Sequence, residues 1–154
     1  MTFKKNSDKI VITVTNNGSI LGKKLANYLK ADLRIPRRFT VNTEIDYGYD
    51  RSVALEIQEA FNRYQVLILI MATGIAVRNI APLLENKQID PAVIVIDEAG
   101  KFVISLILGR WGGANRLAEE VANYTGGVAV ITTASEVNNL PSLDRVAQKY
   151  DLII

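Results

Sequence analysis

The chain has 154 residues, 49% hydrophobic and 22% charged with a net charge of +2, which is the size of one domain and excludes a disordered tail protein. So small a charge, spread over the pairs Lys4-Lys5, Lys23-Lys24 and Arg37-Arg38, leaves no nucleic-acid footprint. With neither cysteine nor histidine, disulfides, thiolate zinc sites, Ser-His-Asp triads and imidazole bases all drop out, and catalysis must fall to carboxylates, Lys, Tyr, hydroxyls, backbone dipoles or the ligand itself.

Residues 1–9 hold no apolar segment of signal-peptide length, and no run approaches the roughly 20 residues of a membrane span, so no membrane partner is expected and the location is read as cytoplasmic. Residues 9–15 form a β-branched run closed by Asn16, Asn17, Gly18 and Ser19, a turn signal that also supplies cap residues. Ile20, Leu21, Leu25, Tyr28 and Leu29 then recur at helical spacing. Pro36 and Arg37-Arg38 limit residues 31–42 to a short peripheral strand. Tyr47 and Tyr49 either stack on a flat ligand or sit in a loop laid over the core. Val53, Leu55, Ile57, Ala60 and Phe61 predict a second helix.

Residues 66–72 are apolar without alternation, which predicts a strand covered on both faces in a mainly parallel sheet. Thr73 and Gly74 fall where the backbone leaves that sheet. Thr73 is placed to cap the next helix, and Gly74 lets backbone approach a ligand. The turn is either a bare corner or an oxyanion site to which Arg78 adds charge. Pro82 predicts a kink or restart. Residues 92–96 and 102–108, joined across Asp97, Glu98 and Gly100, read as a β-hairpin. Gly109, Gly112, Gly113 and Asn115 open a helix with Leu117, Ala118 and Val121 inward; Gly126-Gly127 stop it. Residues 128–131 are the last strand, running into Thr132, Thr133 and Glu136.

The expected fold is α/β: a three-layer α/β/α domain whose mostly parallel, mixed sheet contains one hairpin at about residues 92–108. Residues 1–140 are read as this domain, and 141–154 as the start of a linker or a short C-terminal extension. The strand-end turns at 16–19, 73–74, 109–115 and 132–136 are expected to meet in one ligand crevice. Neither a dinucleotide motif nor a P-loop is present.

Residues 71–78, 80–84, 90–98, 100–105, 112–115 and 131–134 together resemble the N-terminal domain of the CbiG family, the cobalt-precorrin-5A hydrolases of anaerobic cobalamin synthesis. The resemblance runs from Val66 to about Asp144. It implies a cobalt-corrinoid substrate whose ring δ-lactone is opened by water with loss of acetaldehyde. The cobalt then belongs to the substrate, and no cofactor is expected. Corrinoid carboxylates would be held by Thr73, Gly74, Arg78, Arg110, Gly112, Gly113, Asn115, Thr132 and Thr133; Arg78 and Arg110 are otherwise solvated surface cations. Trp111 either stacks on the macrocycle or fills a gap against a neighbouring domain. Glu136 is the candidate base, or else a carboxylate at a helix start. Backbone N–H groups at 73–74 or 112–113 would form the oxyanion site.

Two departures accompany the resemblance. The family usually shows a Gly-His-Leu-Gly-Gly-Ala-Asn turn, where this chain has Gly109-Arg110-Trp111-Gly112-Gly113-Ala114-Asn115, so no histidine role carries over. Full-length members also continue into a linker and C-terminal domain. A fragment, a separated subunit or a divergent stand-alone form is therefore expected, with a C-terminal domain or subunit as partner and a homo-oligomer allowed. The alternative function is a non-catalytic corrinoid-binding or partner-docking domain.

Overall fold

The computed structural model describes residues 3–41, 47–108, 113–141 and 143–153. In it the apolar run is β4 (Val66–Ile70), and its residues from Leu67 to Ile70 have no exposed surface. It lies at the middle of seven strands: β1 (Lys9–Thr13), β2 (Asp32–Pro36), β3 (Gly48–Tyr49), β4, β5 (Ala92–Ile96), β6 (Phe102–Ile107) and β7 (Val128–Val130). Their order across the sheet is β3-β2-β1-β4-β5-β6-β7. Every pairing is parallel except β5 with β6, the expected hairpin.

Helices flank the sheet on both faces. On one, α1 (Asn16–Leu29) and α4 (Gly113–Thr125) place Leu25, Leu29, Leu117 and Val121 against Val11, Ile68, Ile70 and Ile94. On the other, Ile57 and Phe61 of α2 (Val53–Arg63) and Ala76 and Ile80 of α3 (Thr73–Ile80) meet Ile10, Ile12, Leu67, Leu69 and Val93. Successive strand residues thus enter different cores, which is why the central strands read as unbroken apolar runs. Two short helices, α5 (Ala134–Val137) and α6 (Leu143–Tyr150), follow β7. Among the described residues no helix is long and apolar enough to cross a membrane.

Several local expectations change. The five residues of β2 lie one strand in from the edge; β3 is the edge, pairing with Ile35 and Pro36. Tyr49 belongs to β3, not to a covering loop, because its ring enters the α2 core and its hydroxyl donates to the Thr13 carbonyl at 2.6 Å. The residues 16–19 are the first turn of α1, and the cap is Thr15, whose side chain accepts from the Gly18 N–H at 3.0 Å. Thr73 does not cap α3: it is the first helical residue, and the cap position is held by Ala72 without a side-chain bond. Pro82 does restart the chain, in a 3-10 turn at Ala81–Leu83.

The largest correction concerns the common crevice. The hairpin reverses the chain, so β6, and β7 parallel to it, end at the sheet edge where β1, β4 and β5 begin. The turns at 16–19 and 73–74 therefore lie at one edge, and the end of β6 and the turn after β7 at the opposite edge. Strands of five residues hold the two apart by about 15 Å.

Candidate functional site

The first edge is the switch point of the doubly wound part, since β1 feeds α1 on one face and β4 feeds α3 on the other. Gly74 sits in open space, with nothing within 4 Å of where a Cβ would be. Thr73 and Gly74 are exposed, and so is Arg78, more than one turn along α3. Beside them the Glu98 carboxylate from the hairpin already occupies the start of α1. It accepts from Thr15 Oγ1 at 2.7 Å and from Asn17 Nδ2 at 3.4 Å. In sequence Glu98 reads as part of the hairpin turn; its contact with Thr15, 83 residues away in the chain, has no local signal.

At the opposite edge the chain leaves β6 and enters α4, where the Ala114 N–H donates to the Leu108 carbonyl at 3.3 Å. Gly113 is exposed, and nothing lies within 4 Å of its Cβ position. Two residues on, Asn115 is 8% exposed. Its Nδ2 donates to Thr133 Oγ1 at 2.9 Å, while its Oδ1 is buried without a partner. This bond ties the start of α4 to the turn after β7, which also carries exposed Thr132 and, in the first turn of α5, half-buried Glu136. The structure thus brings Gly113, Asn115, Thr132, Thr133 and Glu136 to one edge and leaves Thr73, Gly74 and Arg78 on the other. Arg110, Trp111 and Gly112 lie outside the described residues.

A broad groove of about 1170 Å³ runs beside β2, lined among others by Lys23, Lys30, Arg34, Arg37, Tyr49 and Glu56. Its guanidiniums are committed internally. Arg34 grips Glu56 with Nε and Nη2 at 2.9 and 3.2 Å, Arg51 Nε reaches Glu56 at 2.6 Å, and Arg37 Nε meets Asp50 at 2.6 Å. Arg51 also pairs with Glu59, which takes a further 2.6 Å bond from Arg63. Burial alone would raise the Glu59 carboxyl, but these two guanidiniums outweigh it and hold it below the usual range. We read this network as structural, because each of these guanidiniums is paired with a carboxylate of the same chain. Among the described residues no cluster of His, Cys, Asp or Glu could hold a metal ion.

The fold is a doubly wound α/β domain whose polar strand-end turns fall at two separate edges. The chain belongs to the Cobalamin synthesis G N-terminal family (CbiG_N), whose model matches residues 56–136. It is 43% identical over 147 residues to the cobalt-precorrin-5A hydrolase of Salmonella typhimurium, covering 96% of this chain and 41% of that one. To the cobalt-precorrin-5A hydrolase of Priestia megaterium it is 34% identical over 150 residues, 95% of this chain and 40% of that one. The chain therefore spans about two-fifths of the length of these relatives. A crystal structure described as that of a cobalamin biosynthesis protein G homologue from Sulfolobus solfataricus superposes with a TM-score of 0.61 at 24% identity, over 90% of this chain and 39% of that one; it supports the fold.

Proposed function

We propose that this chain is the corrinoid-holding N-terminal part of a cobalt-precorrin-5A hydrolase, acting in cobalamin biosynthesis, where water opens the ring lactone and a two-carbon fragment leaves as acetaldehyde. The observation that carries the reading is the 43% identity to a hydrolase of that name over 96% of the chain. Within it, the α4 edge takes the substrate, because there the helix start, Asn115 and the Thr132 to Glu136 turn are physically joined. Lactone opening needs an activated water and a stabilised tetrahedral oxyanion. Glu136 is the base in this reading, and the Gly113 end of α4 supplies the oxyanion donors. Thr73 and Gly74 cannot serve the same carbonyl, since they stand at the other edge; with Arg78 they form a separate anion corner.

A second reading has a specific observation behind it: the chain spans only two-fifths of its relatives, which fits a binding or docking module that needs a further domain or subunit for turnover. The test is hydrolysis of cobalt-precorrin-5A by this chain alone, then with the remaining part of the Salmonella relative added. Turnover by the chain alone eliminates the pure binding module. Turnover only on addition supports it, and failure of the chain to bind any corrinoid removes both.

A further inference from the structure

The segment after β7 keeps its backbone closed and its apolar side chains open. In α5 and the turn that follows, Val137, Asn138 and Leu140 donate their backbone N–H groups to the carbonyls of Thr133, Ala134 and Ser135, the last at 2.7 Å. After α6, Asp151 takes a left-handed φ of 54° and the Leu152 N–H returns to the Ala147 carbonyl at 2.9 Å, which closes the helix end. Ala147, 3% exposed, anchors α6. Yet Val137, Leu140, Tyr150 and Leu152 are 65%, 62%, 62% and 57% exposed. Apolar side chains scattered singly over a surface need no explanation; four on one short, hydrogen-bonded segment do. Near the other end of the chain Phe3 shows the ordinary solution, covered by the Tyr64 ring and by the guanidiniums of Arg34 and Arg63.

The relatives indicate what covers it. The matched family is that of an N-terminal domain, and this chain spans about two-fifths of the two hydrolases, so about three-fifths of each lies on the far side of the stretch that corresponds to this segment. Interfaces between domains of one protein bury just such surface. We infer that the segment, through Val137, Leu140, Tyr150 and Leu152, is the docking element for the C-terminal part of a hydrolase of this family, carried on the same chain or supplied by another. Val137 directly follows Glu136, so a partner seated on it stands beside the proposed base and shields that side of the α4 edge from water. The inference deepens the docking reading above and rests on it for the partner's identity; the exposed segment itself does not depend on any corrinoid.

The test compares amide hydrogen exchange in this chain alone with exchange in a chimera, where the chain replaces the matching two-fifths of the Salmonella relative. Slowing of about tenfold or more is expected in the chimera at Asn138, Leu140 and Leu152. Leu140→Asp combined with Leu152→Asp should abolish the slowing, yet leave the melting temperature of the chain alone unchanged, because both side chains already face water. Leu55→Asp, at a 47% exposed position on α2, should keep the slowing. Unchanged exchange in the chimera overturns the inference, as does a chimera that aggregates while the chain alone stays soluble. Sedimentation of the chain alone should give a monomer; a dimer that the double variant dissolves assigns the segment to a second copy and overturns it too. Slowed exchange in a chimera that binds no corrinoid would sink the proposed function and leave the docking intact. Turnover without slowing would do the reverse.

Discussion

Glu56 has no exposed surface, and its charge is tolerated only because Arg34 and Arg51 both reach it. Removing one member of a buried ion pair leaves the other charge uncompensated, so Glu56→Ala should cost about 3–5 kcal/mol, read from urea denaturation midpoints. Tyr49 sits next to this network. Burial first, and Glu56 second, push its hydroxyl up to about 12 from the ordinary 10.0. A folded-state value above the unfolded one means that the unfolded chain loses its proton first as pH rises. The contribution is therefore intact below pH 10 and disappears progressively toward pH 12, at up to about 1.4 kcal/mol per unit. Tyr49→Phe should make the stability profile between pH 9 and 11.5 flatter without levelling it, because burial and Asp32 also raise Tyr64. Neither role was legible in the sequence. Glu56 stands among Gln58 and Glu59 in what reads as a solvated helix face, and only the tertiary position of Arg34 on β2 shows that it is inside.

Among the elements, the junction of α4 and β7 illustrates how two adjacent identical residues do different work. The pair Gly126-Gly127 reads as one helix stop. In the fold, Gly126 ends the helix with φ of 74°, a left-handed conformation that suits glycine. Gly127 instead lies against the hairpin backbone: a Cβ there would stand 2.7 Å from the Lys101 carbonyl oxygen and closer still to that of Gly100. Backbone cannot step aside as a side chain does. Gly127→Ala should therefore destabilise by at least about 1–3 kcal/mol and loosen β7, whose Val128 N–H donates to Lys101. Faster amide exchange at Val128 and Val130, with a lower melting temperature, would show it. Gly74→Ala is the contrast. Its Cβ position is empty and helical, so stability should hold or rise by up to about 1 kcal/mol in the same melting experiment.

For the whole molecule, local patterns were enough to read the three layers, the central strand and the hairpin, because apolar runs and turn residues are local signals. The sharing of the site between edges was not readable. Each strand end looks alike in sequence, whether Thr73-Gly74 or Thr132-Thr133, and only the direction of the strand decides where it points. One reversal between β5 and β6 sends the second pair to the far edge, and α4 returns along the sheet so that β7 repeats the direction of β6. Under the proposed function, a flat macrocycle touching both edges would have to lie across a helix layer, so one edge would take it. The Asn115 to Thr133 bond makes the α4 edge the organised one, whereas at the other edge Glu98 already fills the start of α1. Backbone amide shifts on adding a diamagnetic cobalt(III) corrinoid should accordingly cluster at Gly113, Ala114, Thr132, Thr133 and Glu136, and spare Thr73, Gly74 and Arg78. The reverse pattern would move the proposed site to the start of α3, at the edge opposite Glu136 and on the side that carries Glu98.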